Sequence, residues 1–181
     1  MATTPSHPSV NHLVIQCRDI EASNRFYTDV LGFEQCGTLT LFPDTDMRFY
    51  RGHADHHHDL ALVQIADPAS APPVEEWGLI TNRPGLAHMA LCYGTREEWL
   101  SQLEHMQASG VRTIVRGNHG TTHSAYVVDP DGNGVEVLYE VPSEFWEGDV
   151  DAALNHFELL PTEGPETLVD NTDYIRFGAN A

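Results

Sequence analysis

Val10-Asn11-His12-Leu13-Val14-Ile15 and Leu86-Ala87-His88-Met89-Ala90-Leu91 are two versions of one pattern. Each is a short apolar, strand-like run with a His near its middle, and each is followed at nearly the same offset by a helical pattern. The first helix is expected to start at Asp19, a good N-cap, to carry Ile20, Ser23, Phe26, Tyr27, Val30 and Leu31 on one stripe, and to stop at Gly32. The second opens with a capping box from Thr95 to Glu98, continues through Trp99, Leu103 and Met106, and ends at Gly110. Short β-type runs follow: residues 33–36, 38–42, 47–51 and 59–65 in the first half, and 112–116, 124–128 and 135–140 in the second. Both halves therefore read β-α-β-β-β. The expected fold class is α+β: two tandem βαβββ modules forming a paired, partly closed mixed β-barrel, plus a C-terminal tail.

The boundaries follow from composition. Residues 1–142 form the two-module domain, with module one at about 9–66, a linker rich in Pro and Ala at 67–84, and module two at 85–142. The turn Asp129-Pro130-Asp131-Gly132-Asn133 punctuates the last two strands. Residues 143–181 hold nine acids against one Arg, a charge of −8, yet they include Phe145, Trp146, Leu154, Phe157, Leu159, Leu160, Tyr174 and Phe177. Such an apolar content predicts a tail packed on the domain, with Phe145 and Trp146 either covering a pocket mouth or packed as ordinary core.

Composition excludes several chemistries. The 181 residues carry 9 basic and 27 acidic side chains, a formal charge of −18, and every basic residue is Arg. Without Lys there is no Schiff-base nucleophile and no phosphate-binding P-loop. A charge this negative disfavours nucleic acid and anionic membrane as partners. No apolar run of membrane-spanning length exists, the first residues lack a signal-peptide pattern, and Cys17, Cys36 and Cys92 read as free thiols. Together these point to a cytoplasmic protein. The 11 His direct attention to a metal.

Strand alternation tests which residues can converge. His12 shares a face with Val10, Val14 and Gln16; His88 shares one with Leu86, Ala90 and Cys92; Glu136 shares one with Gly134, Leu138 and Glu140. The two His occupy matching positions of the repeat, and closure of the two sheets about a common axis would let their imidazoles meet. A buried Glu136 on an otherwise apolar strand needs a cation. Two His and one carboxylate make the facial triad of non-haem Fe(II) oxygenases. His123 has the opposite parity to Tyr126, which suggests a surface or supporting position. His7, His53, His105 and His156 have no partner in the pattern.

These residues give the chain a resemblance to the vicinal oxygen chelate superfamily: His12 in VNHLVI, His88 in GLAHMAL, the DPDGN turn and Glu136 in VEVLYE. Within it, His57-His58-Asp59-Leu60-Ala61, His119-Gly120 and Tyr126 resemble the extradiol ring-cleaving dioxygenases of the biphenyl-2,3-diol and catechol type, reduced to a single pair of modules. The resemblance implies a central metal site within that barrel, with Fe(II), or Mn(II), on His12, His88 and Glu136. It implies catalytic roles for His58 beside the oxygen site (with His56 or His57 as alternatives), for His119 as an acid–base group, and for Tyr126 as a hydrogen bond to the substrate hydroxylate. It also implies a catechol and O₂ as small-molecule partners, and a homo-oligomer. Glyoxalase-type isomerases of the same fold supply a fourth ligand from the fourth strand, which here reads Leu60-Ala61-Leu62-Val63-Gln64, with only Gln64 as a donor. Fosfomycin-type transferases call for a cationic surround that nine Arg supply weakly, and non-catalytic binding relatives lack the triad.

Overall fold

A computed structural model of the chain describes residues 9–52, 55–81 and 84–178. His7 and His53 lie outside the described residues, as do residues 1–6 and the chain's last three positions. The chain divides into two compact units, Met1–Pro73 and Val74–Ala181.

In the first unit β1 (Leu13–Cys17) is followed by α1 (Ile20–Arg25), a π-helical turn at Phe26–Val30, and three strands, β2 (Glu34–Thr38), β3 (Met47–Arg51) and β4 (Leu60–Gln64). They form a four-stranded sheet in the order β1-β4-β3-β2, with β1 and β4 parallel and the other pairs antiparallel. Asp19 caps α1 by accepting from the amides of Glu21 and Ala22, both at 3.0 Å. The expected single helix instead widens in its last turn, where the Leu31 amide donates to the Phe26 carbonyl. That extra residue per turn puts the adjacent Phe26 and Tyr27 both in the core. Ile15, Cys17, Ile20, Tyr50, Leu60 and Leu62 complete it. Of the expected run at 38–42 only Thr38 is strand, as the end of β2: Leu41 and Phe42 are exposed and Pro43 offers no amide to a ladder.

The second unit repeats the plan and extends it. β5 (His88–Tyr93), α2 (Arg96–Ala108), β6 (Val115–Asn118), β7 (Thr122–Val128) and β8 (Gly134–Glu140) are followed by α3 (Val150–Leu154) and a two-residue strand, β9 (Glu158–Leu159). The sheet order is β5-β8-β7-β6-β9, with β5 and β8 parallel. β6 starts three residues later than its sequence pattern indicates. Its register is set from the hairpin, where the His119 amide donates to the Thr122 carbonyl and Gly120 takes φ +75°. Asp129 fixes the next turn, accepting from the amides of Asp131 at 2.9 Å and Asn133 at 2.8 Å.

α2 caps one face of this sheet. Trp99, fully buried, donates its indole N–H to the Val137 carbonyl at 2.8 Å and lies 5.2 Å from the Tyr139 ring, with the Arg116 guanidinium 5.1 Å over it. Trp99→Ala is therefore expected to destabilise the protein by about 3–5 kcal/mol. A urea titration checks it, and an unchanged midpoint would contradict this packing.

Residues 143–178 continue over the second unit, with Val169 and Asp170 on its helix-covered side and β9 extending the sheet edge. Arg116 donates to the carbonyls of Glu166 at 2.9 Å and Val169 at 2.7 Å, and β9 pairs with β6. Phe145 packs on Tyr174 at 5.1 Å and under Arg176 at 4.7 Å, while the Trp146 indole donates to Val141. No helix among the described residues is long and apolar enough to cross a membrane.

Candidate active site

Glu136 stands in the middle of β8 and is buried, although its neighbours Val135, Val137 and Leu138 are apolar. The ladder sets what surrounds it. Tyr126 on β7 lies directly opposite, and Ala90 on β5 is its parallel partner, so His88, two residues before Ala90, reaches it diagonally. His88 Nε2 is 3.0 Å from Glu136 Oε2. A buried carboxylate is tolerated when a positive group or hydrogen-bond donors face it, and these two donor atoms share one side of the sheet.

Tyr126 is enclosed by rings. The edge of His88 lies 5.4 Å away, and Trp77 stacks on its face at 5.7 Å and 20°. Trp77 is anchored by its indole N–H, which donates to the Ala87 carbonyl at 2.7 Å. It lies flat on the start of β8 because position 134 is Gly; a Cβ there would meet Trp77 Nε1 at 2.2 Å. The Tyr126 hydroxyl and His119 Nε2 are 2.9 Å apart. Burial, reinforced by the negative charge of Glu136, pushes the Tyr126 phenol well above its ordinary value. Burial also pulls the His119 imidazole down, against the opposing pull of Glu136. Near neutral pH the pair is thus a protonated phenol beside an uncharged imidazole.

In the first unit His12 lies immediately before β1 and is exposed, with its Nδ1 2.7 Å from the Asn11 side-chain oxygen. Of the three-His run, His58 is nearest, its ring 4.5 Å from that of His12 and 5.1 Å from Phe49. His57 is 6.4 Å from His12, and its Nδ1 meets His58 Nδ1 at 2.6 Å. His56 is held by Asp59 at 2.6 Å. Burial, then the neighbouring His12, His57 and His56, lower the His58 pKa. Gln64 on β4 is committed elsewhere: its side-chain oxygen accepts from the Ile20 amide at 2.7 Å and its amide donates to the Arg18 carbonyl.

Within the second unit, then, His88, Glu136, Tyr126 and His119 come together; within the first, His12 and His58 do. Among the described residues no group of three His, Cys, Asp or Glu side chains stands at metal-binding spacing. The donor chemistry nonetheless suits a divalent cation, since the buried Glu136 carboxylate and the His88 imidazole nitrogen already share one side of the sheet.

Of the two positions its parity left open, surface or supporting, His123 does not take the first. It is 1% exposed, with its Nδ1 2.8 Å from Asp170 of the tail. His105 lies exposed in the last turn of α2, and His156 packs 5.8 Å from Phe177. Two rings beside the site carried no recognisable motif: Trp77, from the Pro-rich linker, and Phe157, from the tail, 4.8 Å from His119. Phe157, and neither Phe145 nor Trp146, is the tail aromatic beside this group.

Comparison with known families decides the ancestry. The model of the Glyoxalase/Bleomycin resistance protein/Dioxygenase superfamily matches residues 9–137. The chain belongs to that superfamily. Among its relatives in this superfamily is a protein of Rhodococcus globerulus named biphenyl-2,3-diol 1,2-dioxygenase 3, 28% identical over 130 residues that cover 72% of this chain and 62% of that one. A Vibrio cholerae protein named probable lactoylglutathione lyase is 25% identical over 138 residues, covering 74% of this chain and 91% of that one. The crystal structure of a domain of this superfamily from a Frankia species superposes with a TM-score of 0.59 at 16% identity, over 75% of this chain and all of that one, a likeness of fold. The chain spans less than two thirds of the Rhodococcus relative.

Proposed function

We propose that this superfamily member is an extradiol dioxygenase: it opens the ring of a catechol-type diol next to a hydroxyl, and both atoms of O₂ enter the product. The observation that carries the reading is the row formed by His88, Glu136, Tyr126 and His119 on one face of the second sheet, with the phenol held protonated and the imidazole neutral. His12, His88 and Glu136 are the proposed ligands of Fe(II), with Mn(II) the alternative. Such an ion would gather diol and O₂ and favour loss of a diol proton.

The chain's own residues supply the rest. Tyr126 donates its O–H to a diol oxygen, and burial together with Glu136 keeps that proton in place. His119, uncharged, receives the proton released from the diol or passes one back through Tyr126. His58, beside the proposed ligand His12 and packed on Phe49, is the residue proposed to hold and give up a proton at its imidazole nitrogen. Trp77 excludes water from one face of Tyr126.

The lyase relative supports a competing isomerase reading. Gln64 counts against it, because its side chain is occupied at the start of α1 and residues 60–63 offer no carboxylate.

The test is direct. Protein prepared anaerobically and loaded with Fe(II) is mixed in air with catechol, 3-substituted catechols and 2,3-dihydroxybiphenyl. Oxygen uptake with a yellow product is expected, and its absence for every diol sinks the proposal. Tyr126→Phe is expected to lower kcat by about 100-fold with iron content unchanged, the scale of one lost transition-state donor. A rate equal to the parent's would remove Tyr126 from the mechanism.

A further inference from the structure

The tail beyond the superfamily match brings one side chain onto the site-bearing face of the second sheet. β9 joins the edge of β6 with Gly117 opposite Leu159 and Asn118 opposite Glu158, and this places Phe157 over Gly117. The approach needs glycine: a Cβ at 117 would lie 2.4 Å from Phe157 Cε2 and 3.1 Å from Cζ. The ring also lies 4.8 Å from His119 at 35°, so it forms the next station after the Glu136, Tyr126 and His119 row. It is 47% exposed, half of it unclaimed by the protein.

The ladder gives the distance. Glu136 lies opposite Tyr126 and Tyr126 opposite Val115, so Gly117 is two strand spacings across and two residues along from Glu136, or about 12 Å. One benzene ring anchored by its hydroxyls at His88, Glu136 and Tyr126 ends short of that. A second ring carried on the first reaches it. Resting on the dioxygenase reading above, we infer that Phe157 is the specificity wall of this site and that it selects diols bearing a large apolar or aryl substituent over unsubstituted catechol. The contact is ring against apolar surface, an interaction that discriminates by whether the substituent is present and not by hydrogen bonding.

The experiment measures binding, not turnover. Fe(II)-loaded full-length protein is titrated anaerobically, by calorimetry, with catechol and with 2,3-dihydroxybiphenyl. Five proteins are compared: the parent, Phe157→Ala, Gly117→Ala, the double variant of these two, and Leu154→Ala, the last an exposed tail residue away from the row. Phe157→Ala is expected to weaken the two-ring diol about ten-fold while leaving catechol within two-fold. Gly117→Ala should do the same by dislodging the ring, and should add nothing to Phe157→Ala in the double variant; Leu154→Ala should leave both affinities unchanged. An unchanged ratio between the two diols, or equal weakening of both, overturns the wall while leaving the dioxygenase reading standing. Failure of the parent to bind either diol overturns both.

Discussion

On the proposed function, Glu136→Ala is expected to fold, to hold added Fe(II) far more weakly than the parent, and to show no measurable diol cleavage. The reasoning starts from burial. The carboxylate is 7% exposed, sits among Val135, Val137 and Leu138, and faces His88 Nε2 at 3.0 Å. Replacing it removes a buried charge together with the donor for which that charge is retained, so stability changes far less than affinity for the ion. Loss of a group that merely supports a metal ligand weakens metal binding by about 10–100-fold, and loss of a ligand should exceed that. Iron content after desalting, measured beside a urea midpoint, separates the two effects. Full retention of iron would refute the ligand assignment and with it the proposed role of His88.

The second large effect is on stability. Asp170 has a completely buried side chain, and its Oδ2 collects the Tyr139 hydroxyl at 2.7 Å, His123 Nδ1 at 2.8 Å and Arg96 Nε at 3.3 Å. Arg96 in turn donates to the Thr172 carbonyl and lies 4.5 Å over the Tyr174 ring. Asp170→Ala strands three donors on the helix-covered side of the sheet and is expected to cost about 3–5 kcal/mol, the usual scale for breaking a buried charged pair. Acid should have a related effect. Burial alone would raise the Asp170 pKa, but donation from His123, Tyr139 and the Thr172 amide outweighs it and holds the carboxyl below the ordinary range. A depressed folded-state pKa contributes stability that is complete above the unfolded value near 4 and disappears as pH falls toward the folded value. The parent's urea midpoint should therefore fall on acidification below about pH 4, and the drop should be smaller in Asp170→Ala. Equal pH dependence in both proteins would contradict the role given to this carboxylate.

The halves of this molecule were legible because each announces itself locally. His12 and His88 recur within the same apolar frame, Asp19 and Thr95 cap helices as their types require, and the Asp129 turn fixes the start of β8. Strand parity grouped residues only within each strand; the cross-strand register is what sets Glu136, Tyr126 and His88 on one face. What parity could not supply is depth: His123 looks like the polar side of a strand, and only a carboxylate 47 residues away explains its burial. Trp77 and Phe157 escaped for a similar reason. Their positions depend on Gly134 and Gly117, two residues whose significance is the missing side chain. The π-helical turn at Phe26–Val30 also left no mark on the apolar stripe, which tolerates one extra residue per turn.

The superfamily match ends at residue 137, inside β8, while hydrogen bonds of the second unit continue to Phe177, whose amide donates to the Phe145 carbonyl. The segment defined by common descent is thus shorter than the segment that must unfold together. Arg116, buried on β6 within the match, has its partners at Glu166 and Val169, outside it. A boundary drawn by ancestry would cut through a guanidinium's solvation shell, and a fragment meant to behave as this protein does has to retain the acidic extension as part of its interior.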